Sequence, residues 1–171
     1  MPIVQDLGKY LGMPLLTKRK TTTAFQSLLE KIHTRIQAWQ SKLLSQEGRI
    51  TLIKSILSPL TYYQIQTNII PRSITSSIDK SIRNFLWGDT PTQWHVHLIN
   101  WETLTRSKVF GNLGIRDSKT TNDAFLMNQE WRLWRNPHTL LANFLSQKHC
   151  RTSDFLRTTP HTGSHSWKAL L

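Results

Sequence analysis

A chain of 171 residues is the size of one domain and buries roughly 70% of its unfolded surface, so it has room for a core. Its 22 Lys and Arg stand against 10 Asp and Glu, a net charge of +12, which makes polyanions the natural partners and nucleic acid the first among them. No apolar run approaches the ~20 residues of a membrane-spanning helix, and no basic flank and apolar stretch open the chain, so the expectation is a soluble, unprocessed protein with no membrane partner.

The mean hydropathy of -0.39 is low, but the seven tryptophans speak against a disordered chain. The single cysteine, Cys150, excludes an internal disulfide and a thiolate zinc cage and suits an intracellular location, nuclear or cytoplasmic.

In chain order, Met1 to Lys20 is a series of short apolar pieces broken by Gly8, Gly12 and Pro14, and predicts an extended or irregular segment. Lys18-Arg19-Lys20 and three threonines form a basic joint, where Thr22 or Thr23 is placed to cap a helix. From Ala24 the helix period takes over. Phe25, Leu28, Leu29, Ile32, Ile36, Trp39 and Leu43 fall on one apolar face, while Lys31, Arg35 and Lys42 form a basic stripe on another side. Gln46-Glu47-Gly48 predicts a break, after which Ile50, Leu52, Ile53, Ile56, Leu57 and Leu60 supply a second apolar face. Pro59 lies inside that pattern and predicts a kink or an end at Ser58, with Tyr62 to Ile70 resuming the helix up to Pro71. A third helix runs from Ser73 or Ile74 to Trp87 on Ile74, Ile78, Ile82 and Phe85, and Gly88 stops it.

Asp89 to Asn100 predicts a linker, either a short strand or an extended run over the bundle, in which Trp94, Val96 and Leu98 alternate with His95 and His97. Asp117 or Ser118 is placed to cap a fourth helix through Trp134, ended by Asn136-Pro137. On it Ala124, Met127, Trp131 and Trp134 share one face, the expected core face, and Arg132 and Arg135 lie off it. A helix over Leu140 to Leu145 and a loosely ordered tail from Arg151 complete the chain. The fold class expected is mainly α, a small helical bundle with an irregular N-terminal segment and an extended C-terminal region.

Several of these stretches carry a resemblance. Leu-Leu-Ser at 43–45, Gly-Arg-Ile-Thr-Leu-Ile-Lys-Ser-Ile-Leu-Ser at 48–58, Ile-Pro-Arg-Ser-Ile at 70–74, Ile-Asp-Lys at 78–80 and Phe-Leu-Trp-Gly at 85–88 closely resemble the reverse transcriptases of plant LINE-type (non-LTR) retrotransposons. Lys9 to Leu15 is similar to the tail of the palm in that family. Asn100-Trp101, the Ser107 to Arg116 run and the tryptophan-arginine pairs near Arg135 continue the likeness, with Ser107 and Asn112 where the family commonly has proline and glycine. Ser166 to Leu171 resembles the lead-in to a zinc-binding-like region, often followed by an RNase H domain. The resemblance implies a palm remnant over 1–20, a thumb-like bundle over 21–88, a connector over 89–116, C-terminal helices over 117–150 and a tail over 151–171.

In the family, thumb helices track the template-primer duplex behind the active site, so the implied partner is RNA or RNA–DNA duplex held through its backbone. The implied nucleic-acid-binding residues are Lys18, Arg19, Lys20, Lys31, Arg35, Lys42, Arg49, Lys54, Lys80 and Arg83. Polymerisation needs carboxylates that hold two metal ions about 4 Å apart. No two of the ten acids lie within three residues of each other and no Asp-Asp motif is present, although long-range pairing stays open. The expectation is a chain with no enzymatic activity and no cofactor of its own, the Mg2+ belonging to an absent palm. Palm and RNase H regions of a parent polyprotein are further implied partners. His95-x-His97 and the His149, Cys150, His161 and His165 group lack the spacing of a zinc site, and no phosphate loop or nucleophile with a base appears. The competing possibility is a domesticated or relic helical module that contacts proteins through exposed Trp and Leu residues.

Overall fold

The computed structural model describes residues 9–10, 13–14, 22–40, 43–66 and 68–149. It is mainly α. Strands β1 (Lys9–Tyr10) and β2 (Met13–Pro14) precede helices α1 (Gln26–Gln40), α2 (Gln46–Leu52), α3 (Ser58–Ile65), α4 (Arg72–Trp87), α5 (Trp101–Leu104), α6 (Ser118–Arg135) and α7 (Leu140–His149). The two strands pair with each other, antiparallel, Lys9 opposite Pro14 and Tyr10 opposite Met13, so this family-like segment finds partners without a palm sheet. Lys18, Arg19, Lys20, Lys42 and the tail from Cys150 lie outside the described residues.

A 3-10 turn over Thr23–Phe25 leads into α1. The expected threonine cap is absent: Thr22 is itself helical (φ -62°, ψ -44°), whereas a capping residue needs an extended backbone to turn its oxygen back on the helix. Phe25, Leu28, Ile32 and Ile36 are buried as their spacing predicts, with Leu29 and Trp39 packed against them. Leu43 lies past the end of α1 and is fully exposed.

Gln46-Glu47-Gly48 opens α2 instead of breaking α1. Ser45 is the reason: its backbone is extended and its Oγ accepts a hydrogen bond from the Gly48 amide at 3.2 Å, satisfying a free donor of the first turn. Pro59 does not end the helix either. A five-residue π-helical stretch, Ile53–Leu57, joins α2 to α3, and the Ser58 N–H donates to the carbonyl of Ile53, five residues back. The wider turn shifts the bonding register just before the residue that has no N–H to give, and α3 runs on through Pro59 to Ile65. Residues 68–71 are then not helical, contrary to the expected continuation to Pro71.

Helix α4 is the centre of the bundle and touches α1, α2 and α6. Ile74, Ile78, Ile82 and Phe85 are buried with Thr75 and Leu86, and Gly88 ends the helix in the left-handed conformation (φ +80°). The Arg49 guanidinium fills the space that a side chain at Gly88 would enter, so it lies at the carbonyl end of α4, where a positive charge is favoured. The core spans the bundle and the segment after it: Leu104 of α5 and Ile115 lie in one buried cluster with Leu28, Ile53, Leu57 and Ile78.

The expected core face of α6 is not its core face. Trp131 and Trp134 are 54% and 48% exposed, Met127 is 68% exposed, and Ala124 is exposed too. Ser118, Thr121, Asn122, Leu126 and Leu133 are buried in their place. Polar bonds at the N-terminal half of α6 and the packing of Phe125, Leu126 and Leu133 hold this other face against the bundle, which leaves the aromatic stripe outward. The two tryptophan rings pack on each other, centroids 4.9 Å apart. Asp117 does cap α6, its Oδ2 accepting from the Thr120 amide at 2.8 Å.

Candidate nucleic-acid interface

The basic residues singled out from the sequence fall in three settings. Lys31 and Arg35, one turn apart on α1, are exposed. At 3.6 residues per turn they project from the flank of α1 opposite His33 and Gln37. Lys80 is exposed on α4 and lines the groove between α1 and α4, on the other side of α1. Arg49, Lys54 and Arg83 are half-buried. Arg49 is held against Gly88, and the Nε of Arg83 is buried with no hydrogen-bond partner among the described residues.

Between α1 and α4 runs a continuous furrow. At one end lie Leu29, Glu30 and Lys80; His33, Gln37, Ser81 and Asn84 form its middle; Gln40, Asp89 and Trp94 close the other end. The two helices are tied across it by His33, whose Nε2 lies 3.1 Å from the Ser81 hydroxyl. Asp89 is buried at the far end and acts as a hub. Its Oδ1 accepts from the His95 amide at 2.9 Å, its Oδ2 pairs with His97 Nε2 at 2.8 Å, and its backbone oxygen accepts from Gln40 Nε2 at 3.0 Å. Burial pushes the Asp89 carboxyl up, but the His95 amide and the His97 imidazole outweigh it and hold the group below the usual carboxylate range. Trp87 stacks on the His97 ring, centroids 5.8 Å apart. The alternating His95 and His97, weighed above as metal ligands, thus anchor the loop onto Asp89. Nothing in their spacing points to Asp89 as the partner.

The structure also brings two distant acids together. Asp79 on α4 accepts from the Ser118 amide at 3.1 Å and from the Ser118 hydroxyl at 2.6 Å, which sets it beside Asp117. Burial first, and the Asp117 charge and hydrogen bond after it, push the Asp79 carboxyl up to about 7, against the pull of Ser118. Burial raises Asp117 too, but the Thr120 bonds and a bond from Asp79 hold it below the usual range. One proton held between two carboxyls of divergent acidity is a pattern of acid–base sites. Here both groups are used at the α4–α6 joint and neither lines the furrow, so the pair is a clamp between helices.

A second polar joint leaves no signal in the sequence. Asn122 of α6 is fully buried; its Nδ2 donates to the carbonyls of Ile65 and Asn68, the latter at 2.8 Å, and its Oδ1 accepts from the Ile70 amide at 3.0 Å. It completes the bonds that α3 leaves open at its C-terminal end.

Two proteins of Arabidopsis thaliana are similar to the chain that builds this furrow. Over 137 residues, 80% of the chain, it is 35% identical to one named "Putative ribonuclease H protein", and that stretch covers 22% of the relative. The chain therefore spans about a fifth of the length of that protein. Over 114 residues, 66% of the chain, it is 25% identical to an uncharacterized mitochondrial protein, covering 74% of it. No family model and no solved structure matches the chain.

Proposed function

We propose that the chain is a piece of a plant retroelement polyprotein, the thumb and connector of a LINE-type reverse transcriptase. In this reading it grips RNA or RNA–DNA duplex through phosphates without reading sequence. The observation that carries the proposal is the 35% identity with a fifth of a much longer protein named for ribonuclease H, an activity that the LINE-type resemblance puts in the same polyprotein, beyond the connector. The charge of +12 and the exposed Lys31, Arg35 and Lys80 support a backbone-binding role. Polymerisation and its Mg2+ then belong to a palm outside this chain, and the chain alone has no catalytic step. The palm and RNase H regions of the same polyprotein are its partners in cis.

The test is fluorescence anisotropy with a labelled RNA–DNA hybrid of unrelated sequences. Affinity falls about tenfold or more between 50 and 200 mM salt, and the Lys31→Ala/Arg35→Ala variant lowers the log–log salt slope by roughly 2. Binding that is flat with salt refutes the proposal.

One observation favours a second reading, a helical protein-interaction module. Met127, Trp131 and Trp134 of α6 and Leu140, Leu141 and Phe144 of α7 are all exposed, a concentration of large apolar groups that soluble surfaces rarely carry. Under this reading the chain self-associates in sedimentation velocity, nuclease and salt leave the association intact, and Trp131→Ser/Trp134→Ser abolishes it. A monomer at about 50 µM counts against it.

A further inference from the structure

Trp94 projects from the 89–98 loop at the end of the α1–α4 furrow, 74% exposed and in contact with no other ring among the described residues. No packing role accounts for so large a side chain at that place. The furrow leading up to it is floored by neutral hydrogen-bonding groups. Gln37 and Asn84 both line it, and among the described residues no hydrogen bond engages either side-chain amide. Lys80 lines the part of the furrow that Trp94 does not. Two acids border the furrow: Asp89, whose oxygens accept from the His95 amide and face His97, and Glu30, on the Lys80 side, so Lys80 offsets only part of their charge.

Two packed helices have axes about 8–10 Å apart, and the groove between them is too narrow to seat a duplex. It accepts one extended strand. A flat aromatic platform, free amide donors and acceptors and a cation are the groups that hold unpaired bases and their phosphates. An acidic peptide would use the cation but has no need of the ring. We infer that the furrow between α1 and α4 binds a single-stranded stretch of nucleic acid, with Trp94 stacking on a base and Lys80 meeting a phosphate. This deepens the backbone-gripping reading and rests on it: the duplex would be held by charge alone, while the unpaired strand beside it is held by this furrow.

The experiment measures binding of the full chain to labelled oligo(U) and to a blunt duplex RNA of equal charge, for the wild type, Trp94→Ala, Trp94→Phe and Gln37→Ala/Asn84→Ala. Trp94 lies on an exposed loop, so its replacement leaves the fold in place. The expected result is a loss of about tenfold for oligo(U) with Trp94→Ala, near-full recovery with Trp94→Phe, and an unchanged affinity for duplex. The amide variant lowers oligo(U) affinity alone. Equal affinity of Trp94→Ala and wild type for oligo(U), equal losses on duplex, or equal competition by an oligo-glutamate peptide overturns the inference. In those outcomes salt-dependent duplex binding still supports the backbone-gripping role, whereas a chain that binds neither oligo(U) nor duplex overturns both.

Discussion

Asp79→Asn makes the protein more stable at pH 8, by about 2 kcal/mol, with a melting temperature higher by about 4–8 °C. The folded-state acidity of Asp79, raised to about 7 from an ordinary 3.8, means that the native protein holds this proton more tightly than the unfolded chain does. The stability it contributes is fully present below pH 3.8, declines as the pH rises from there through about 7, and is gone above. A rise of that size corresponds to at most about 4 kcal/mol, which residual solvent and the favourable field at the start of α6 reduce to about half. Asparagine reproduces the protonated acid: its oxygen accepts from Ser118 as Asp79 does, and its NH2 donates to Asp117. The difference between variant and wild type therefore grows from pH 4 to pH 8. Urea titrations at both pH values check this, and a variant equal to or weaker than wild type at pH 8 refutes the shared proton.

Asn122→Ala lowers stability by about 3–5 kcal/mol and the melting temperature by about 10 °C. The side chain bonds two backbone carbonyls and one amide at a fully buried position, and alanine removes all three bonds where water does not reach. The loss is also local. The Ile70 amide, protected in the wild type by Asn122 Oδ1, exchanges with solvent much faster in the variant, while amides in the middle of α4 follow only the global change. A melting temperature within about 2 °C of wild type would show that the 65–70 turn is held by its apolar contacts alone.

The two sites share a property that separates them from the rest of the fold. Each joins residues tens of positions apart through polar groups, so neither leaves a periodic trace in the sequence.

Helices whose apolar spacing coincides with their burial are legible from residue order alone. In α1 and the turn before it the run Phe25, Leu28, Ile32, Ile36 and in α4 the run Ile74, Ile78, Ile82, Phe85 pack as written, because each face meets several neighbours and the hydrophobic effect dominates. Local backbone chemistry is equally readable at Gly88, whose left-handed conformation ends α4, and at Asp117, whose carboxylate caps α6. The basic surface follows from composition, and the mainly α class from periodicity. The remaining features depend on how the helices meet. Pro59 is carried inside a helix because a π-helical stretch absorbs its missing donor, a register choice that no residue type announces. Trp131 and Trp134 face outward because the opposite face of α6 is the one engaged, by the bonds of Ser118 to Asp79 and of Asn122 to the end of α3 and by the burial of Leu126 and Leu133. The pairing of Asp79 with Asp117, the gathering of His95 and His97 onto Asp89, and the furrow that leads to Trp94 arise in the same way. They depend on which faces of separate helices come together, and periodicity along one helix carries no information about the angle at which another one crosses it.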